Sequence, residues 1–326
     1  YGTDYISDVI DISAGRAHSV VLKKNGSMYA VGYNAYGNLG DGTNVNKQLL
    51  CKVKEIQNVI QISSGQYHTI MLRGDLTVWS VGRNYYGELG VNSTSTSSTA
   101  SAQGVSIVRQ TMNADKNDVL RNITQIASGG WHNVALTRNK QVYTWGYGVD
   151  GQLGTNANTS YSFPQLVVDN TDGTNGIGGI QKIGASERST ILITENNEVL
   201  ATGENSNYQL SQNNTTDLKV VGKLLSEDAE NYIDDIINIP NSCANTNNTA
   251  VIKSDGSVWV TGLGAKGQIG NKQYITAKTF NRFGVASIKN DETIITVPVG
   301  DTRQLNIKVN PVSYTHLRAH ETKANL

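Results

Sequence analysis

Residues 123–156 read ITQIASGGWHNVALTRNKQVYTWGYGVDGQLGTN. The stretch opens on an apolar entry (Ile123, Ile126), turns at Gly129, and passes through Trp131 and His132 into a short apolar run (Val134, Leu136). A polar hairpin tip follows, then a second run ending at Trp145-Gly146, and a closing Gly151-Gln152-Leu153-Gly154 block. Each run is four to six residues long, which suits a strand and is too short for a helix.

The same unit recurs on both sides. VIDISAGRAHSVVL starts at Val9, VIQISSGQYHTIML at Val59, IQKIGASERSTILI at Ile180, and a degraded IINIPNSCANTNNTAVI at Ile236. A glycine closes the second strand of every copy, at Gly32, Gly82, Gly146, Gly203 and Gly262, and eight residues later stand Gly40, Gly90, Gly154, Ser211 and Gly270. Five copies in phase on two landmarks define a repeat protein. Hairpins are expected at Asn25-Gly26, Gly74-Asp75, Asn139-Lys140, Asn196-Asn197 and Asp255-Gly256, because such pairs accept the left-handed backbone of a tight turn. No copy shows a helical period. Each unit therefore reads as an antiparallel sheet of about four strands, and sheets repeating at about 50 residues predict the blades of an all-β propeller.

The block GxxHs…L…G.vW..G.N.yGQLG resembles the regulator of chromosome condensation repeat family, from Val9 to about Lys272. That resemblance implies a seven-bladed ring, of which five copies make a partial arc, short of about 100 residues at about 50 per blade. First and last blades are then expected not to meet. Leu39, Leu89, Leu153 and Leu210 are expected to plug the space between neighbouring blades.

The 326 residues carry 27 basic and 27 acidic side chains, 33 Gly and 4 Pro. That balance gives no concentrated basic face for nucleic acid, and no run is long and apolar enough to span a membrane. Cys51 and Cys243 lie in different copies with no metal or redox spacing and are expected to be unpaired. The Ser/Thr-rich stretch Asn92 to Ser106 and the segment Asp169 to Gly179 read as surface loops.

The repeat ends near residue 283. Glu292 to Pro311, ETIITVPVGDTRQLNIKVNP, resembles the opening of a bacterial group 2 immunoglobulin-like domain, which implies an exported or surface-displayed bacterial protein. Val312 to Thr322, VSYTHLRAHET, resembles a translated sequencing-library adaptor. The expected organisation is repeats over 1–283, a truncated immunoglobulin-like segment over 284–311, and an adaptor-derived tail over 312–326.

Candidate chemistry is sparse. His18, His68 and His132 share one slot in three copies, but equivalent sites on stacked sheets start about 10 Å apart, against metal–nitrogen bonds of about 2 Å. A histidine hydrogen-bonded inside its own blade is the expectation, with no metal, no cofactor and no enzyme activity. No nucleophile motif, phosphate loop or carboxylate pair stands out.

The residues before that slot vary and are often large: Arg16-Ala17, Gln66-Tyr67, Gly130-Trp131 and Glu187-Arg188. Those after the strand-closing glycine vary too: Tyr33, Arg83, Tyr147, Glu204 and Leu263. A constant framework with variable turn residues is how repeat proteins present a binding face. Tyr67, Trp131, Arg16, Arg188, Tyr33, Arg83 and Tyr147 are therefore the candidate binding residues. Packing on neighbouring loops is the other role open to them. The function expected is a non-catalytic scaffold binding a protein or surface macromolecule. An exchange factor for a small GTPase, as in the founding member of the family, a secreted enzyme inhibitor and a carbohydrate-active domain are the alternatives.

Overall fold

The computed structural model describes residues 5–95, 104–169, 175–240 and 247–284. Five antiparallel sheets of four strands follow one another in chain order. Blade one comprises β1 (Val9–Ala14), β2 (His18–Lys23), β3 (Met28–Gly32) and β4 (Lys47–Lys52). Blade two comprises β5 (Val59–Ser64), β6 (His68–Arg73), β7 (Val78–Arg83) and β8 (Gly104–Gln110). Blade three holds β9 (Ile123–Ser128), β10 (His132–Thr137), β11 (Val142–Gly146) and β12 (Tyr161–Leu166). Blade four holds β13 (Ile180–Ala185), β14 (Ser189–Thr194), β15 (Val199–Gly203) and β16 (Leu218–Lys223). Blade five holds β17 (Ile236–Asn238), β18 (Asn248–Lys253), β19 (Val258–Gly262) and β20 (Ala277–Arg282). The described residues contain no helix. The expected all-β propeller of about five four-stranded blades is the observed fold.

All five hairpins between second and third strands form where expected. At Gly26 and Gly256 the left-handed residue is glycine, but Leu76, Lys140 and Asn197 take the same conformation at φ near 60°. In blade two the tip thus extends one residue past Gly74-Asp75. Asx-type bonds support these turns: Ser27 N donates to Asn25 Oδ1 at 3.0 Å and Ser257 N to Asp255 Oδ1 at 2.8 Å. The loop expected over Asn92 to Ser106 ends earlier, because Gly104, Val105 and Ser106 already belong to β8, with Gly104 and Val105 paired to β7.

The strand-closing glycine is required by a close approach. Gly82 sits at φ 109°, and a Cβ there would lie 2.5 Å from the Tyr67 carbonyl oxygen. The later landmark needs φ and tolerates a side chain: Ser211 adopts φ 49° where the other copies use glycine.

Blades two to four have a neighbour on each face, so their second strands are buried almost throughout, as in HTIMLR and HNVALT. One apolar cluster joins Leu22, Met28 and Leu39 of blade one to Val59, Met71 and Val81 of blade two, and another joins Leu210 of blade four to Val251 and Phe280 of blade five. Leu39, Leu89, Leu153 and Leu210 are all fully buried.

Side chains also stitch adjacent inner strands. Gln61 of β5 receives the Ile126 amide at 3.0 Å and donates to the Ile126 carbonyl at 3.1 Å. Gln125 of β9 is paired to Ile183 in the same way. An amide side chain reproduces here the two bonds of a strand partner across a gap too wide for the backbone itself.

Blade one packs on blade two and blade five on blade four, and no packing of similar extent joins blade one to blade five among the described residues. Ile12 is 74% exposed, whereas Ile62, Ile126 and Ile183, its counterparts, are at most 5% exposed. The five blades are an arc. Residues 284–311 and 312–326, to which the immunoglobulin-like and adaptor readings apply, lie outside the described residues apart from Gly284, as does Cys243. Cys51 carries a free, half-buried thiol.

Candidate functional site

The register of each blade places two loops at one end. His18 pairs with Gly32, His68 with Gly82, His132 with Gly146 and Ser189 with Gly203. The turn between first and second strands and the loop leaving the third strand therefore emerge side by side. Every candidate binding residue lies in one of these two segments except Arg83, the last residue of β7.

Their backbones are chained from blade to blade. Arg16 N donates to Gln66 O at 3.1 Å, Gln66 N to Gly130 O at 2.9 Å, and Gly130 N to Glu187 O at 2.9 Å. The third-strand loops of blades one, two and three then each reach over the turn of the next blade. Tyr36 meets Tyr67 with ring centroids 5.0 Å apart, Tyr86 meets Trp131 at 6.4 Å, and Asp150 meets Arg188 Nη1 at 3.3 Å.

Two aromatic groups result. Tyr33, Tyr36 and Tyr67 lie within 6.0 Å of one another, and Tyr86 contacts Trp131 and Tyr147 in the same way. Arginines sit over these rings. Arg83 lies 4.9 Å from the Tyr86 centroid, Arg188 5.1 Å from Trp131, and Arg16 5.9 Å from Tyr67. The structure thus brings all seven sequence candidates to one end of the blades, where they contact neighbouring loops and all remain partly or fully exposed.

Two of them are more committed than a free binding residue would be. Arg83 faces the buried carboxylate of Glu88 at 3.5 Å, and Arg188 is shared between Asp150 and Glu204. Burial pushes the Glu88 carboxyl upward, and Arg83 opposes it. Burial likewise raises Asp150 and Glu187 against the pull of Arg188, and raises the Tyr33 and Tyr147 hydroxyls.

Sequence reasoning missed Tyr36, Tyr86 and Asp150, which hold one slot, three residues before the last glycine-flanked leucine. The signal was present: NAYGNLG, NYYGELG and GVDGQLG align on it.

The repeated histidines bond outside their own blades. His18 Nε2 is 3.1 Å from Thr69 Oγ1, His68 Nε2 donates to Asn133 Oδ1 at 2.8 Å, and His132 Nε2 is 3.1 Å from Thr190 Oγ1. Each partner belongs to the following blade, which corrects the expectation of a bond within the blade. The physical reason is reach: an imidazole at the start of the second strand points across the interface, where the next blade presents a short polar side chain. Ser189 is too short and bonds instead to Glu204 O of its own blade at 3.3 Å. Among the described residues, no three His, Cys, Asp or Glu side chains gather as metal ligands.

Four-stranded radial blades with variable residues gathered at one end define a β-propeller of the repeat-scaffold class. Models of the regulator of chromosome condensation (RCC1) repeat match residues 9–38, 59–88 and 123–152, and, in a second version, residues 25–72 and 140–193. Over these residues, just under half of the chain, the sequence is similar to RCC1 repeats. It is 30% identical over 155 residues to the E3 ubiquitin-protein ligase HERC2 of Mus musculus, covering 46% of this chain and 3% of that protein. It is 26% identical over 217 residues to the ultraviolet-B receptor UVR8 of Arabidopsis thaliana, covering 63% of this chain and 43% of the receptor. The chain thus spans less than half of either relative. Human WBSCR16 has the same fold at 19% identity, with a TM-score of 0.69 over 86% of this chain and 68% of that one. The yeast RCC1 protein Prp20, solved bound to Kap60, is similar at 15% identity, with a TM-score of 0.58 over 85% of this chain and 75% of that one.

Proposed function

We propose that the chain is a non-catalytic propeller scaffold whose aromatic–arginine end docks a protein partner. The observation that carries this reading is the pair of aromatic groups, Tyr36 with Tyr67 and Tyr86 with Trp131 and Tyr147, bridged across blades one to three by Arg83 and partly exposed. Aromatic and arginine side chains supply most of the energy at protein interfaces. Constant hairpins under varying turn residues suit one framework to different partners. Prp20, a propeller of this kind, was solved in complex with the protein Kap60.

Export to the cell surface of a bacterium is the setting we favour. It rests on the resemblance of residues 292–311 to a bacterial immunoglobulin-like domain. Protease shaving of intact source cells tests it: a propeller that stays protected until lysis would overturn the setting.

The docking face is tested with Tyr67→Ala and Trp131→Ala in the full chain, each paired with a thermal melt and with capture from the source cell's surface fraction. A truncated interface aromatic loses about 2 kcal/mol, roughly thirtyfold in affinity. Capture that falls by that factor in a folded variant supports the reading. Capture surviving both substitutions in folded protein overturns it.

A further inference from the structure

We infer that the mouth formed by the first-to-second-strand turns of blades two to four receives a cationic side chain, a guanidinium or ammonium group, from the partner protein. The inference rests on the docking reading above and names the chemistry that the face selects.

The chained turn backbones bring Gln66 and Glu187 together across Gly130, which contributes no side chain between them. Gln66 Nε2 donates to Glu187 Oε1 at 3.2 Å. The other end of that amide has no partner: Gln66 is 2% exposed and its Oε1 accepts no hydrogen bond. An orphaned buried acceptor is costly and is normally answered by a donor. Glu187 beside it is half-buried; burial raises its carboxyl, Arg188 pulls against that rise, and Glu204 adds to it while Arg16 opposes it.

The cations already present pull on Glu187 only through space, and their ion pairs and ring contacts lie on other groups. Arg188 is held by Asp150 and Glu204 under Trp131. Arg16 lies over the Tyr67 ring. Acceptors are therefore in surplus at this point. A guanidinium, with five donors and no acceptor, can serve an amide oxygen and a carboxylate together. The adjoining Tyr67 offers an aromatic face that favours a cation. An anionic group would meet Glu187, the one carboxylate here without an ion pair, and be disfavoured.

The test uses the full chain and the peptide acetyl-(Gly-Arg)4-amide, with its citrulline counterpart as the neutral isostere, in calorimetric titrations at low salt. The expected result is binding of the arginine peptide at least tenfold tighter than the citrulline peptide. Glu187→Gln should weaken it by about tenfold or more, the range for a charge-assisted bond. Gln66→Met, which keeps length and removes the acceptor, should weaken it severalfold with the melting temperature retained. Glu195→Gln, at the hairpin tip on the opposite end of blade four, should leave affinity within twofold. Equal binding of the two peptides overturns the inference, and so does an equal loss from Glu195→Gln, which would mark simple net-charge attraction. Partner capture that needs Trp131 and ignores Glu187 would leave the docking face standing and remove the cation pocket.

Discussion

His68 and Asn133 join blades two and three through a 2.8 Å hydrogen bond from the imidazole Nε2 to the amide Oδ1, with both residues fully buried. The same amide donates its Nδ2 to Glu88 O at 2.7 Å and receives Ser128 Oγ at 2.8 Å. Two blades thus share one small network at the place where their sheets cannot pair directly. His68→Ala is expected to cost about 2 kcal/mol and Asn133→Ala a similar amount. The double variant should cost less than the sum, because the two residues act through one bond. Urea unfolding of the four proteins measures this, and full additivity would show that the bond contributes nothing.

Acid should loosen the blades. Burial holds His18 and His68 at a pKa of about 4 and His132 at about 3, all below the ordinary 6.5. Above pH 6.5 both folded and unfolded chains carry them neutral, and their contribution is complete. Between pH 6.5 and about 4 the unfolded chain takes up protons that the folded chain refuses. Stability then falls by up to about 1.4 kcal/mol per pH unit for each histidine. Urea midpoints at pH 7, 6 and 5 should drop progressively, and His18→Gln should flatten the slope by about a third. A midpoint independent of pH over this range would contradict the burial.

Two backbone substitutions should act in opposite directions. Lys140 is exposed at φ 64° at a hairpin tip, so Lys140→Gly should stabilise by about 1 kcal/mol. Its 3.9 Å contact with the exposed Glu195 is worth little. Gly82→Ala places a methyl 2.5 Å from the Tyr67 carbonyl at φ 109° and should destabilise by more than about 2 kcal/mol. Thermal melts decide both.

The repeat's isoleucine position should be silent in one blade and critical in another. Ile12→Ser removes a side chain already 74% exposed and should change stability by less than about 0.5 kcal/mol. Ile126→Ser loses a fully buried side chain and introduces a hydroxyl, and should cost about 3 kcal/mol or more. Equal effects in chemical unfolding of this chain would show that the first blade's face is covered.

The sequence by itself determined the repeat, the blade count, the five hairpins and the end at which variable residues gather. These are local or periodic properties: Asn25-Gly26 turns, alternating apolar runs, and the glycine eight residues before the next landmark each act within one unit. Copying one unit five times fixes where equivalent residues emerge. The tertiary structure alone decided which blades share each bond. That His18, His68 and His132 reach forward, that Tyr36 and Tyr86 cover the next turn, and that Gln66 meets Glu187 all depend on the distance and tilt between sheets. Those quantities are set by interleaved Leu39, Val59 and Val81 and their counterparts, residues far apart in the chain, so no window within one repeat contains them.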